Sequence, residues 1–491
     1  MKRLFILIPA ILVAGCKVGP DFVTPKVPVD AAYGSPATTQ STTTPSTQSS
    51  LTSQWWTLLN DPLLDSLVDR AIPGNLDLRI AAARVREARA YRVVVGAQEL
   101  PQAEATAGVT RTQLSRNAAP YNAFKTPGFP WAFNTYQAGF DAAWEIDVFG
   151  GAKRDIEAAA ADLDASVEMQ RGVLLSVAAE VARNYVELRG FQQQTLALRE
   201  NLRLQQETLD LALDRMHKGA GTELDVARAK ALVATTEAQI PAPQTQQWHA
   251  IYRIALLLGA ELPPLTAELS PDREVPVPPE AMPLGVPADL LRRRPDIRRA
   301  EREVAAATAR VGSATADLYP KFSLNGTFNL QSQKTSRLLR GDSAGFGIGP
   351  AVSWPVFDRG RLRAAVKVRS AQQEQAILRY EQTVRQAIEE VRSSAVAFSN
   401  SREQRLALQR AVAANRDATD MARQLYEKGM TDFLTVLDVE RQLAQTQESL
   451  ARSRAAESTS LIALCKGLGG GWETQLPEQP ATRPATPQTR H

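Results

Sequence analysis

The sequence predicts a mixed α/β membrane protein that is mainly helical. Two observations support this prediction. Residues 356–476 contain no proline and are rich in the strong helix formers Ala, Leu, Gln, Arg and Glu. Four other segments alternate apolar with polar residues, which is typical of β-strands with one apolar face. Very long helices interrupted by a few strands are therefore expected.

The proline-free stretch predicts one helix from about Gly360 to Lys428. Such a helix would be roughly 100 Å long at about 1.5 Å per residue. That length is far too great for one compact domain, so the helix must belong to a coiled-coil rod, a membrane-distal projection or a tunnel. Gly429 is expected to end the helix, and Thr431 or Asp432 to cap the next one.

The chain contains the same unit twice. Four matches recur at a spacing of 210 residues: Trp144 with Trp354, Gly150 with Gly360, Lys218-Gly219 with Lys428-Gly429, and Leu258-Gly259 with Leu468-Gly469. Each copy is interpreted as a helix, two strands, a very long helix and a shorter helix. This tandem duplication places the first structural repeat at residues 61–260 and the second at 288–472.

Prolines distinguish the region between the repeats. Residues 261–287 are rich in proline and are expected to form a belt connector along the outside of the fold, not a core element.

Pro241 and Pro243 fall inside the shorter helix of the first repeat and should kink or break it. The second repeat has no such break.

The first residues predict a lipoprotein export signal at 1–15. Lys2-Arg3 is followed by an apolar run too short to span a membrane, and Ala14-Gly15 precedes Cys16. Cys16 is therefore expected to become the lipidated N-terminus; the alternative is ordinary signal cleavage beside a chance cysteine. Lys17, instead of Asp, favours outer-membrane sorting.

Two further segments are polar and contain little to bury. Residues 16–60 are interpreted as the lipid anchor, an extended tether and the first part of a belt, because Ser, Thr, Pro and Gln dominate 35–53. Residues 473–491 are interpreted as a disordered tail.

The four alternating segments match transmembrane β-strands. They lie near residues 103–112, 135–144, 321–330 and 346–354. Half-buried soluble hairpins are the alternative. The predicted outer-membrane location and the aromatic residues near the strand ends favour a barrel. Four strands cannot close a barrel, and lipid does not tolerate open edges. Three copies would close a twelve-stranded barrel, with the helices gathered into a hollow cylinder.

Composition argues against several functions. The chain has 57 basic and 53 acidic residues, too balanced to bind nucleic acid through charge. Its three histidines are scattered, so neither a metal site nor a cofactor is expected. The glycines between 345 and 349 lie in a strand pattern and do not open a helix, so they are not a phosphate loop. We expect no enzymatic activity.

The chain resembles the NodT family of outer-membrane efflux lipoproteins, which are TolC-like outer-membrane factors. The resemblance covers nearly all of residues 16–472. It rests on six segments: Gly15 to Phe22, Trp55-Trp56 with Asn60 to Leu63, Arg294 to Ile297, Leu318 to Pro320, Pro355 to Arg361, and Leu468 to Trp472.

This resemblance implies a homotrimer in the bacterial outer membrane. A twelve-stranded β-barrel, four strands per chain, would continue into a periplasmic α-helical barrel, with acyl chains such as palmitate on Cys16 in outer-membrane lipid. The trimer would be the passive exit duct of a tripartite efflux pump, joined to an inner-membrane transporter by a periplasmic adaptor. The alternatives are the duct of a type I secretion system and a trimeric coiled-coil adhesin or scaffold.

The resemblance also implies a periplasmic gate. Leu434 and Asp438 occupy positions that narrow the mouth in the family, with acidic side chains facing the lumen. Tyr426 and Asp225 match one of the ties that hold family members shut, through a phenol-to-carboxylate hydrogen bond. From the residues alone, Leu434 and Tyr426 could equally be packing residues, Asp438 a solvated charge and Asp225 a helix cap.

Overall fold

The computed structural model describes four ranges, residues 17–25, 54–115, 131–279 and 293–471. The expected signal peptide, Cys16, most of the tether and the C-terminal tail lie outside these ranges, so their interpretation stays a prediction.

Helices dominate the described residues. In chain order they are α1 Pro62–Gly74, α2 Leu76–Gly96, α3 Gly151–His217, α4 Glu223–Gln239, α5 Pro241–Leu258, α6 Leu262–Leu269, α7 Pro295–Ala316, α8 Arg361–Glu427 and α9 Phe433–Gly467. The two longest, α3 and α8, each have 67 residues and occupy equivalent places in the two repeats. The predicted long helix is thereby confirmed, and the equal lengths of α3 and α8 agree with the predicted duplication.

The break expected in the first repeat is present. Helix α4 ends at Gln239 and α5 begins at Pro241, whose missing N–H costs nothing at the first position of a helix. In the second repeat α9 runs for 35 residues without interruption. The prolines therefore account for the main difference between the two copies.

The segment after the first repeat differs from the expected peripheral connector. Residues 262–269 form α6, and its Leu265 and Leu269 are buried. Pro263 and Pro264 stand in the first turn of α6, where they favour helix initiation. The other prolines of this segment within the described residues lie in chain that is neither helix nor strand: Pro271, Pro276, Pro278 and Pro279. Leu265 and Leu269 are four residues apart, so they share one face and bury it together.

Four strands form one antiparallel sheet in the order β1-β2-β3-β4. They are β1 Gln102–Gln113, β2 Ala132–Ile146, β3 Lys321–Ser332 and β4 Ala344–Ser353. Strand β2 pairs with β3, so the sheet joins strands of both repeats. Within the described sheet β1 and β4 each have one neighbour, which leaves an unpaired edge on either side.

One face of this sheet carries a row of aromatic residues. Phe140 lies opposite Phe328, and Phe328 lies opposite Phe346, so the three rings share a face. All three are exposed in the single chain, with Phe346 at 86 %. Exposed aromatic residues on one face of a sheet favour contact with lipid.

The chain divides into two compact units. One contains the N-terminal segment with residues 85–166 and 300–380, and so includes the whole sheet. The other contains residues 54–84, 167–299 and 381–471 of the described chain; its secondary structure is helical, and residues 270–279 form an irregular segment. None of the described helices combines the length and apolar content needed to cross a bilayer.

Candidate functional site

Two helix-to-helix turns have the same backbone geometry. The first tip, residues 218–222, joins α3 to α4, and the second tip, residues 428–432, joins α8 to α9. Gly219 and Gly429 both adopt a φ of +74°. In the second tip the N–H of Gly429 donates to Tyr426 O at 2.9 Å, and the first tip repeats this bond. Only glycine adopts this left-handed helix ending without strain.

Each tip ends in an N-cap. Thr222 accepts the backbone N–H of Asp225 at 3.2 Å, and the carboxylate of Asp225 accepts in return from the N–H of Thr222. In the second tip Asp432 accepts the N–H of Thr435 at 2.8 Å. Hydrogen bonds from the Thr435 side chain and backbone lower the pKa of Asp432. Of the two caps proposed from the sequence, the structure therefore uses Asp432.

A small apolar core fixes the helix ends beside the tips. This tip cluster consists of Ala212, Val226, Ala229, Ala422, Tyr426, Phe433, Val436 and Leu437. It draws residues from α3, α4, α8 and α9, and the rings of Tyr426 and Phe433 lie 5.3 Å apart. Because helices of both repeats share this core, a shift of one tip requires the other to repack.

Arg215 provides a polar connection between the repeats. Its guanidinium lies 4.4 Å from the centre of the Tyr426 ring, and Nη1 donates to the Tyr426 carbonyl oxygen. A cation over an aromatic ring contributes about 0.5–2 kcal/mol, depending on how dry the contact is. No pattern in the sequence predicted a role for Arg215. A basic residue in the last turn of a helix is nevertheless a known partner for terminal carbonyls.

The structure does not join Tyr426 to Asp225 by a hydrogen bond. The Tyr426 hydroxyl is buried and has no partner among the described residues, while Asp225 serves the capping box. Burial raises the pKa of Tyr426, the charge of Arg215 opposes this rise, and Asp225 adds to it. In the single chain these two residues therefore act as a packing residue and a helix cap.

Leu434 and Asp438 lie on a different face of α9 from the tip cluster. They are four residues apart, whereas Val436 and Leu437 are fully buried. Leu434 is 46 % exposed, so it is not a core residue of the single chain. Asp438 is exposed as well and forms a surface ion pair with Arg441 at 3.3 Å.

A buried carboxylate, that of Glu440, lies two residues after Asp438 on α9. Glu440 accepts a hydrogen bond from the hydroxyl of Thr208 on α3 at 2.5 Å, and Arg423 Nε on α8 lies 3.6 Å from the same oxygen. Burial raises the pKa of Glu440, and its contacts with Thr208 and Arg423 oppose this rise. Nothing in the sequence pattern pointed to this network.

The chain matches known proteins over most of its length. The family described as outer membrane efflux protein matches residues 67–260 and 286–470. Nodulation protein T from Rhizobium leguminosarum bv. trifolii is 30% identical over 463 residues, covering 94% of this chain and 96% of the relative. The pyoverdine export outer membrane protein OpmQ from Pseudomonas putida is 33% identical over 442 residues, covering 90% and 93%.

Solved structures with the same fold include membrane channels. The outer-membrane channel OprN superposes with a TM-score of 0.83 at 35% identity, covering 93% of this chain and all of OprN. CusC superposes with a TM-score of 0.80 at 26% identity, again covering 93% of this chain and 100% of CusC.

Fold, tips and sheet together define an outer-membrane channel subunit. The chain belongs to the outer membrane efflux protein family. It is an exit duct of an efflux pump and not an enzyme.

Proposed function

We propose that three copies of this chain form a passive outer-membrane duct for small molecules. A periplasmic adaptor would connect it to an inner-membrane transporter that supplies the energy. The observation that carries the proposal is the four-stranded sheet, which exposes aromatic residues on one face and, within the described residues, leaves the outer edges of β1 and β4 unpaired. In lipid those edges must be paired, and neighbouring copies can pair them.

The mouth of this duct is proposed to lie at the tips. Leu434 and Asp438 are exposed in the single chain and lie on a face of α9 that the tip cluster does not cover. Three-fold symmetry would repeat each side chain three times around the axis. Three Asp438 carboxylates would attract cations, and the paired Arg441 would weaken that attraction.

Asp438→Asn is expected to lower the cation-to-anion permeability ratio of the duct in planar bilayers by roughly two- to fivefold, the range of exposed ion-pair contributions. Arg441→Gln is the matched control: it removes the opposing charge, so its ratio should rise. If neither variant changes selectivity or block by trivalent cations, the carboxylate does not line the mouth. If the wild-type protein conducts no ions, the duct itself is disproved.

Cys16 is proposed to carry the lipid anchor. Its position after a short apolar run and two small residues supports this proposal, as does the similarity to nodulation protein T. Cys465 offers a natural control, because burial raises the pKa of its thiol to about 12 and so keeps it unreactive.

Cys16→Ser, expressed behind a cleavable export signal of the non-lipoprotein type, is expected to abolish labelling by a radioactive fatty acid. Cys465→Ser should retain full labelling. The unlabelled variant should still insert, because the apolar face of the sheet buries more surface than the acyl chains do. Absence of a lipid on wild-type Cys16 by mass spectrometry would contradict the assignment.

A further inference from the structure

The segment next to the proposed anchor residue is held by one buried arginine. Arg154, in the first turn of α3, is fully buried. Its Nε donates to Val18 O at 3.1 Å, and its Nη2 donates to Gly19 O at 3.3 Å and to the Asp21 carboxylate at 2.9 Å. One side chain therefore binds two backbone carbonyls and a carboxylate of the same short segment.

Close backbone contacts require glycine around this arginine. Gly19 has a φ of +87°, and a Cβ there would lie 2.5 Å from the Cα of Gly312. A Cβ on Gly312 would lie 2.7 Å from Arg154 Nε, and one on Gly150 would lie 3.0 Å from the Cα of Lys17. Gly150 belongs to the first repeat and Gly312 to the second. The binding site for residues 17–21, formed by Arg154, Gly150 and Gly312, therefore exists only when both repeats have folded.

Two charged residues, Glu157 and Lys17, complete the contacts at this binding site. Glu157 accepts a hydrogen bond from Arg154 Nη1 at 3.0 Å and pairs with Lys17. Burial alone would raise the pKa of Glu157, but the hydrogen bonds and charges of Lys17 and Arg154 lower it. The N–H of Val18 donates to Phe149 O at 3.2 Å, in the turn between β2 and α3. The segment is thus bound through its backbone as well as its side chains.

We propose that residues 17–21 are a docking segment that holds the acylated N-terminus at the junction between strand β2 and helix α3. Cys16 directly precedes Lys17 in the sequence, so a lipid on Cys16 would be one residue away from the docked segment. The acyl chains would then enter the lipid beside the sheet, and sheet and anchor would meet the same leaflet. The inference rests on the proposed acylation of Cys16.

This docking has a consequence for assembly. A lipid on a free tether samples a large volume, whereas a docked lipid keeps the sheet at the membrane surface and in one orientation. The acyl chains are expected to speed insertion and trimer formation only while the segment is docked. Arg154 is a positioning residue in this scheme, since it acts through the segment that carries the lipid.

Hydrogen exchange on the full-length acylated protein in detergent tests the docking itself. Asp21→Asn removes a charge from an exposed side chain and cannot disrupt the core. Asp21→Asn and Arg154→Gln are both expected to speed exchange in the peptide covering residues 17–25 by roughly tenfold. Arg310→Gln, which breaks the ion pair with Asp162 elsewhere in the same unit, should leave that exchange unchanged.

A pulse–chase measurement of trimer formation tests the role of the lipid. Arg154→Gln and unacylated Cys16→Ser should each slow the appearance of the SDS-resistant trimer several fold. The combined variant should be no slower than Cys16→Ser alone, because an undocked segment matters only when it carries a lipid. Unchanged exchange in both docking variants, or additional slowing in the combined variant, would overturn the inference. Neither result depends on conductance, which tests the duct separately.

Discussion

Arg215→Met is expected to shift the duct toward its open state by roughly tenfold or more. Methionine has a similar length and helix propensity but cannot donate to the Tyr426 carbonyl or place a charge over its ring. A hydrogen bond from a charged donor contributes about 1.5–3 kcal/mol, and the ring contact adds to it. The closed packing of the two tips would lose this contribution in every copy.

Single-channel recording in planar bilayers is the measurement, and two other variants make it specific. Arg215→Lys keeps the charge but loses the planar group that stacks on Tyr426, so its conductance should lie between those of wild type and Arg215→Met. Tyr426→Phe removes only a hydroxyl that has no partner among the described residues, so its effect should be small.

The proposed tie between Tyr426 and Asp225 predicts a different pattern. If the assembled closed duct forms that hydrogen bond, Tyr426→Phe and Asp225→Ala will raise conductance alike, and the double variant will add little. Fully additive effects would rule out that tie. Wild-type conductance in Arg215→Met would show that the contact between Arg215 and Tyr426 does not hold the tips together.

Phe328→Arg is expected to prevent formation of the SDS-resistant trimer. Phe328 lies in the middle of the aromatic row on the sheet, between Phe140 and Phe346. An arginine facing lipid near the midplane costs about 2–4 kcal/mol, and the trimer would contain three of them. A total of roughly 6–12 kcal/mol is comparable to the whole stability of an ordinary domain.

The control for this variant lies three residues away on the same strand. Asn325 points to the opposite face of β3, and its partner Gly349 leaves open space. Asn325→Arg should therefore leave the trimer intact on unboiled gels, with the same dissociation temperature as wild type. Loss of the trimer in both variants would show that neither face of the sheet tolerates an arginine. The aromatic face could then not be assigned as the lipid-facing one.

Local patterns determined the elements of this fold. The helix predicted from Gly360 to Lys428 is observed as Arg361–Glu427, and the break at Pro241 occurs where expected. The strands lie where apolar and polar residues alternate. Such predictions succeed because capping, proline geometry and periodicity depend on residues a few positions apart. The repeat supplied a second copy of each pattern.

Only the tertiary structure decided which distant side chains meet. Arg215 and Tyr426 are separated by 211 residues, and Arg154 and Gly19 by 135. Helical spacing says which face of a helix a residue occupies, but not which other helix covers that face. The burial of Leu269 and the pairing of Glu440 with Thr208 follow from that choice of neighbour. So does the lack of a hydrogen-bond partner for the Tyr426 hydroxyl among the described residues. Packing of the two repeats against each other, not any local pattern, makes the choice.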